Sequence, residues 1–397
     1  MAPIQLGWNN NRTLGFFRML NFQEITMRHC SLRLLVMTLF LLLNACGQEA
    51  QLSPRPTATP ATLTPTTMVL TSTETNLSGI KTYLLDTTTQ LTASTQNLSN
   101  AADTYYDLAK ATQFDYATLW ENKPDQVRAI LQEARSSWAE ASPRYERVEG
   151  IVAGTPQLAD FDVTLDAGSS AAEGGDGVVA FDLTLPDGRI LSKPGNLFGV
   201  TESTLWGTFA EYSSSVTADI DTDGKINFGD RLPDANVLKA AANELHRVAS
   251  ELYSTSEKWQ PSAAEAFTAL VVMLPTMTEY FESWKSSRFV AGESSTQRDF
   301  VAISRLADIQ DILSGLEVVY AQIQPTVAQV DASQSTQIAE RITDLKTFVA
   351  RVYAQEQAGK RFSPEEADIL GAEAQNQATA IVGQLTQIAA QLNIPLE

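Results

Sequence analysis

Leu370, Ala374, Ala378, Ile381, Leu385, Ile388 and Leu392 recur at steps of three and four. That spacing lines one side of an α-helix, and a helix with one apolar stripe needs another element to cover it. The helix start is also written in the sequence: Ser363 can cap, Pro364 suits the first turn, and Glu366 completes a capping box. Ser262 and Glu265 repeat the box after Pro261. Comparable patterning predicts helices over 76–112, 124–149, 197–216, 233–256, 262–286, 297–322 and 326–356. With 397 residues, 44% of them hydrophobic, the chain has material for more than one core. The expected fold is all-α with two helical bundles, the N-terminal one over 76–230 and the C-terminal one over 231–397. One interval departs from this pattern. "FDVTLDAG" (161–168) is echoed by "FDLTLPDG" (181–188), and both alternate apolar and polar residues, which predicts a small inserted β-ribbon.

The first residues carry targeting information. Arg28 and Arg33 precede the apolar run Leu34 to Leu43, which is too short to span a bilayer and is followed by "NAC". This describes a secretory signal over 1–45, with Met27 the better start, and "LNAC" resembles the lipobox of bacterial lipoproteins. Cys46 would then be the lipidated first residue. Cys30 leaves with the signal, so the mature chain has no cysteine pair for a disulfide. Residues 46–75 are Thr- and Pro-rich and read as an extended tether. The 28 Lys and Arg stand against 47 Asp and Glu, a net charge of -19, which argues against a nucleic-acid partner.

The stretch "DIDTDGKINFGD" (219–230) spaces its acids as a cation loop requires. Counting from Asp219, oxygen ligands fall at Asp221, Asp223, the Lys225 carbonyl, Asn227 and Asp230, with Gly224 at the sharp turn. The spacing resembles the EF-hand-like calcium loop of dockerins. Calcium is therefore the expected ion, Ile226 is expected in the apolar floor, and the loop is expected to clamp two flanking helices.

Catalysis is limited by what the chain lacks. His29 and His246 are the only histidines, and His29 leaves with the signal, so histidine triads and zinc sites are hard to build. The fragments "SSWAEASPRYERVEG", "LADFDVTLDAG", "LFGVTESTLWG" and "YFESWKSSRFVAGE", with the long helical tail, together resemble the imelysin-like family, which includes EfeO-type periplasmic iron-uptake proteins. The family carries a G-x-H-x-x-E segment followed by Leu-Trp. In the register fixed by Leu205 and Trp206, Glu202 matches the Glu, Gly199 stands in place of the His, and Leu197 in place of the Gly. The resemblance also implies that Glu146, Glu149 and Asp166 gather near Glu202 as a second metal site, with iron its cargo. Without the histidine, peptidase activity is not expected.

These readings make the chain a lipid-anchored, extracytoplasmic metal-capture protein of the cell envelope, stabilised by calcium. Its expected partners are the membrane, through the lipid, and an iron-uptake permease or another envelope protein. The alternative is a calcium-stabilised envelope module that binds a protein or glycan and has no transition-metal role.

Overall fold

A computed structural model of the chain describes residues 76–175 and 177–396. The predicted signal, Cys46 and the whole of the tether lie outside the described residues.

Helix α1 (Ser78–Ala111) buries Leu84, Leu91, Leu98 and Tyr105, one residue every two turns, with none of their surface exposed. Each fully buried leucine contributes about 1.5–3 kcal/mol relative to exposure. Threonines fill the same seam because their hydroxyls turn back onto the helix, as when Thr88 Oγ1 donates to the Leu84 carbonyl at 2.7 Å. A short helix α2 (Tyr116–Asn122) leads into α3 (Pro124–Ala153), which starts on a proline that needs no partner for its missing N–H. Then follow α4 (Ala159–Asp162), α5 (Leu197–Leu205), α6 (Ala235–Lys258), α7 (Ala263–Met273), α8 (Met277–Ser286), α9 (Arg305–Val330), α10 (Ala332–Gln357) and α11 (Pro364–Gln391). Both predicted capping boxes are formed, at Ser262 with Glu265 and at Ser363 with Glu366.

Helix α1 packs along α3 and α6, while α9 packs on α10, and α11 on α8 and α10. Helix α6 lies beyond residue 230 yet packs with α1, so bundle membership does not follow chain order. The two groups meet where α9 crosses α3. Gly315 permits this approach, since a Cβ there would stand 2.1 Å from the Arg147 carbonyl oxygen. One hydrophobic core runs through both groups. Trp138, Trp259 and Trp284 are buried in it.

The β-ribbon differs from expectation. Residues 161–168 are not a strand: α4 continues into a π-helical turn, Val163–Ala167. Asp162, Leu165 and Asp166 are buried together, which needs helical spacing; an extended chain would split them between opposite faces. The second half does form a strand, β1 (Asp182–Thr184), whose antiparallel partner is β2 (Ile190–Ser192), across a turn closed by Gly188 at φ +88°. A second antiparallel pair joins β3 (Ser213–Thr217) to β4 (Arg231–Pro233). The helix predicted over 197–216 therefore stops at Leu205, with Gly207 at φ +64° just beyond its end.

Candidate metal centre

The buried face of α3 presents Tyr145, Glu146 and Glu149, which helical spacing puts side by side. The α4 and π-helical segment brings Asp162 and Asp166 against them, α8 brings Tyr280, and α9 brings Arg305 and Asp308. Glu146, Glu149, Asp162, Asp166 and Asp308 are all at most 8% exposed.

Hydrogen bonds satisfy part of this acidic group. Tyr145 donates its hydroxyl to Asp162 Oδ1 at 2.7 Å, and Tyr280 donates to Glu149 Oε1 at 2.5 Å. Arg305 Nη1 donates to Asp308 Oδ2 at 2.9 Å and approaches Glu146 Oε1 at 3.5 Å. Its guanidinium also stacks on Phe300, 3.7 Å from the ring centroid.

What remains is decisive. Glu146 Oε2, Glu149 Oε2 and Asp166 Oδ2 are buried with no hydrogen-bond partner. One carboxylate oxygen from each of the three residues lies within 4.8 Å of the others, close enough to hold a metal ion. Buried polar atoms are almost always paired, so an orphan oxygen on each of three residues whose carboxylates cluster this closely marks a place where a ligand supplies the missing interaction. Burial pushes the Glu146 and Asp162 carboxyls well above the ordinary range, with neighbouring carboxylates adding to the effect. Burial likewise raises Asp166 to about 7 and Asp308 to about 6, although Arg305 opposes both. A cation would replace the protons that burial otherwise favours. A cavity of about 620 Å³, lined by Glu149, Asp162, Asp166, Tyr280, Phe300 and Arg305, adjoins the group.

Glu202 is placed differently. Its Oε2 accepts from Phe300 N at 2.6 Å, and Oε1 accepts from Val301 N at 2.9 Å and Ala302 N at 2.7 Å. Both oxygens are thus committed to fastening the segment that leads into α9. Burial nonetheless raises this carboxyl to about 8. Gly199, one turn earlier, has Asp299 against it: a Cβ there would lie 2.5 Å from Asp299 Oδ2 and 3.0 Å from Asn196 Oδ1. The side chain of Asp299 occupies the space that any larger residue at 199 would enter.

The family model described as Imelysin matches residues 80–392. The chain belongs to the imelysin family. No curated protein matches the sequence. Within this imelysin-family fold, Glu146, Glu149 and Asp166 come together, while Glu202 and Gly199 flank them from α5. Sequence reasoning missed Asp162, Tyr280, Arg305 and Asp308. Asp162 precedes Asp166 by four residues, a helical signal obscured by reading that stretch as a strand. No local pattern marks Tyr280, Arg305 or Asp308, which reach α3 only through the fold. His246 sits on α6, where its Nδ1 lies 3.1 Å from the Thr95 hydroxyl.

The acidic loop forms a second cluster. Asp219, Asp221, Asp223 and Asp230 offer carboxylate oxygens within 4.8 Å of one another. Gly224 turns the chain at φ +79°, and Asp230 closes the loop by accepting from Ile220 N at 2.9 Å and Asn227 N at 3.0 Å. Asp223 N donates to Asp221 Oδ1, Lys225 N to Asp223 Oδ1, and Asn227 Nδ2 to Asp223 Oδ2. Two expectations are corrected. The loop joins strands β3 and β4 rather than two helices, and Ile226 is 58% exposed instead of tucked into a floor. The apolar contact comes from Ile220, which is fully buried because the β3 end of the loop runs beside α3, where Gln132 Nε2 donates to the Ile220 carbonyl at 3.1 Å. Either acidic cluster has the donors for a metal ion; among the described residues no helix is long and apolar enough to cross a membrane.

Proposed function

We propose that this chain is an extracytoplasmic binding protein that captures a hard metal ion, ferric iron being the best match, at Glu146, Glu149 and Asp166. The observation that carries the reading is a set of three buried residues beside a cavity, each with an unpartnered carboxylate oxygen, whose carboxylates come within 4.8 Å of one another. Carboxylate oxygens, with no thiol or imidazole among the three residues, favour hard cations over zinc or copper(I). Membership of the imelysin family supports an iron-related role outside the cytoplasm. Tyr145 and Tyr280 hold Asp162 and Glu149 in place, and Arg305 offsets part of the negative charge. The role is capture rather than catalysis.

The finer parts of this reading are a lipid on Cys46, delivery to an uptake permease, and calcium in the 219–230 loop. The lipobox resemblance supports the first, the family resemblance the second, and the spacing of the loop acids the third.

The test is elemental analysis and calorimetric titration of chelator-stripped protein with ferric nitrilotriacetate. One equivalent of iron, lost in both Glu149→Gln and Asp166→Asn, is the expected result. Iron uptake unchanged in both variants would refute the assignment.

A further inference from the structure

A groove of about 760 Å³ lies outside the acidic centre, and its walls include Ile226 and Phe228 from the acidic loop, Arg288 and Phe289 beyond α8, and Arg361 before α11. In this strongly acidic chain the neighbouring cations Lys285 and Lys360 are paired, the first with Glu282 and Asp368, the second with Glu366. Arg288 and Arg361 have no carboxylate within ion-pair distance among the described residues. The Arg288 guanidinium instead stacks on Phe228, 3.7 Å from the ring centroid, with Phe289 at 5.8 Å. Stacking engages only the face of the guanidinium and leaves its in-plane N–H donors for a carboxylate or phosphate. Arg361 Nη1 makes one long contact, 3.5 Å, to the Phe289 carbonyl. Burial, reinforced by the Arg361 charge, pulls Arg288 below its usual value, so the two cations sense each other. Glu293 is the acid among the lining residues, and it is exposed.

We infer that this groove binds a small organic anion, its carboxylate or phosphate on Arg288 and Arg361 and its apolar body against Phe228, Phe289 and Ile226. A bare oxyanion would use the two arginines and leave the rings and the exposed Ile226 uncovered; an apolar molecule without charge would leave two cations unpaired. Both halves of the groove are used only by an amphipathic anion.

The experiment is titration of the full chain, in calcium-containing buffer, with phenyl phosphate, phenylacetate and inorganic phosphate. Phenyl phosphate or phenylacetate should bind more tightly than inorganic phosphate, and Arg288→Gln and Arg361→Gln should each weaken binding by about tenfold or more. Arg361 is exposed, so its variant should melt with the parent and keep the comparison clean. Affinity unchanged in both variants would overturn the inference. So would inorganic phosphate binding as well as phenyl phosphate, or association with anionic vesicles without any response to the soluble probes. Iron binding at Glu149 is read separately, so neither result depends on the other.

Discussion

Tyr280 donates its hydroxyl to Glu149 Oε1 at 2.5 Å, a buried bond that ties α8 to α3 and leaves Glu149 Oε2 as the oxygen without a partner. The tyrosine therefore decides which edge of the carboxylate is available. Tyr280→Phe should destabilise the protein by about 1–3 kcal/mol, since it strands an acceptor in the interior. It should also weaken iron binding by severalfold, as Glu149 loses its fixed orientation. Denaturant unfolding and ferric titration of the same variant check both effects.

Asp166→Asn separates stability from function. The substitution removes one of several crowded carboxyls, so the metal-free protein at neutral pH should become more stable, while iron affinity falls by about a hundredfold or more. Stability and affinity moving in opposite directions is the expected signature. A variant that loses both together would mean that Asp166 serves only the fold.

The pH dependence follows from the same burial. Asp166, Asp308 and Glu202 have folded-state values of about 7, 6 and 8, all raised above ordinary carboxylates. The folded protein therefore holds protons that the unfolded chain releases. Stability is gained as pH falls and is lost as pH climbs through those three values. Chelator-stripped protein should resist urea better at about pH 5.5 than at about pH 8.5. Iron binding should run the other way, strengthening as pH rises through about 7, because the metal displaces the Asp166 proton.

Glu202 should behave as a structural anchor. Glu202→Ala strands the N–H groups of Phe300, Val301 and Ala302 and should cost about 3–5 kcal/mol. Glu202→Gln keeps an acceptor and should cost less. Where the glutamine variant folds, it should still take up one equivalent of iron, measured by elemental analysis.

The acidic loop separates ion binding from loop closure. Calcium in a hundredfold excess over its dissociation constant should stabilise the parent by about 2.7 kcal/mol. Asp223→Ala should abolish that gain in thermal melts. Asp230→Ala should in addition lower the melting temperature of calcium-free protein, because Asp230 accepts from the N–H groups of Ile220 and Asn227.

Much of this was readable in advance because it depends on near neighbours. The stripe from Leu370 to Leu392, the boxes at Ser262 and Ser363, and the pairing of Glu146 with Glu149 all rest on contacts within a helical turn or two. Where a local pattern fitted two periods, it misled: "FDVTLDAG" alternates like a strand, yet Asp162 and Asp166 face the acidic centre from a helix. Its neighbours, and not its own pattern, select that conformation.

By itself, the sequence determined the all-α class, the capped helix starts at Ser262 and Ser363, the spacing of the loop acids and the excess of negative charge, since each is set by residues close along the chain. Only the tertiary structure decided that Tyr280, Arg305 and Asp308 would join α3, that Glu202 would fasten Phe300 to Ala302, and that the 219–230 loop would span two strands. Those outcomes depend on which helices meet, and on close approaches such as Gly315 against Arg147. Pairing across more than a hundred residues leaves no periodic trace in the sequence.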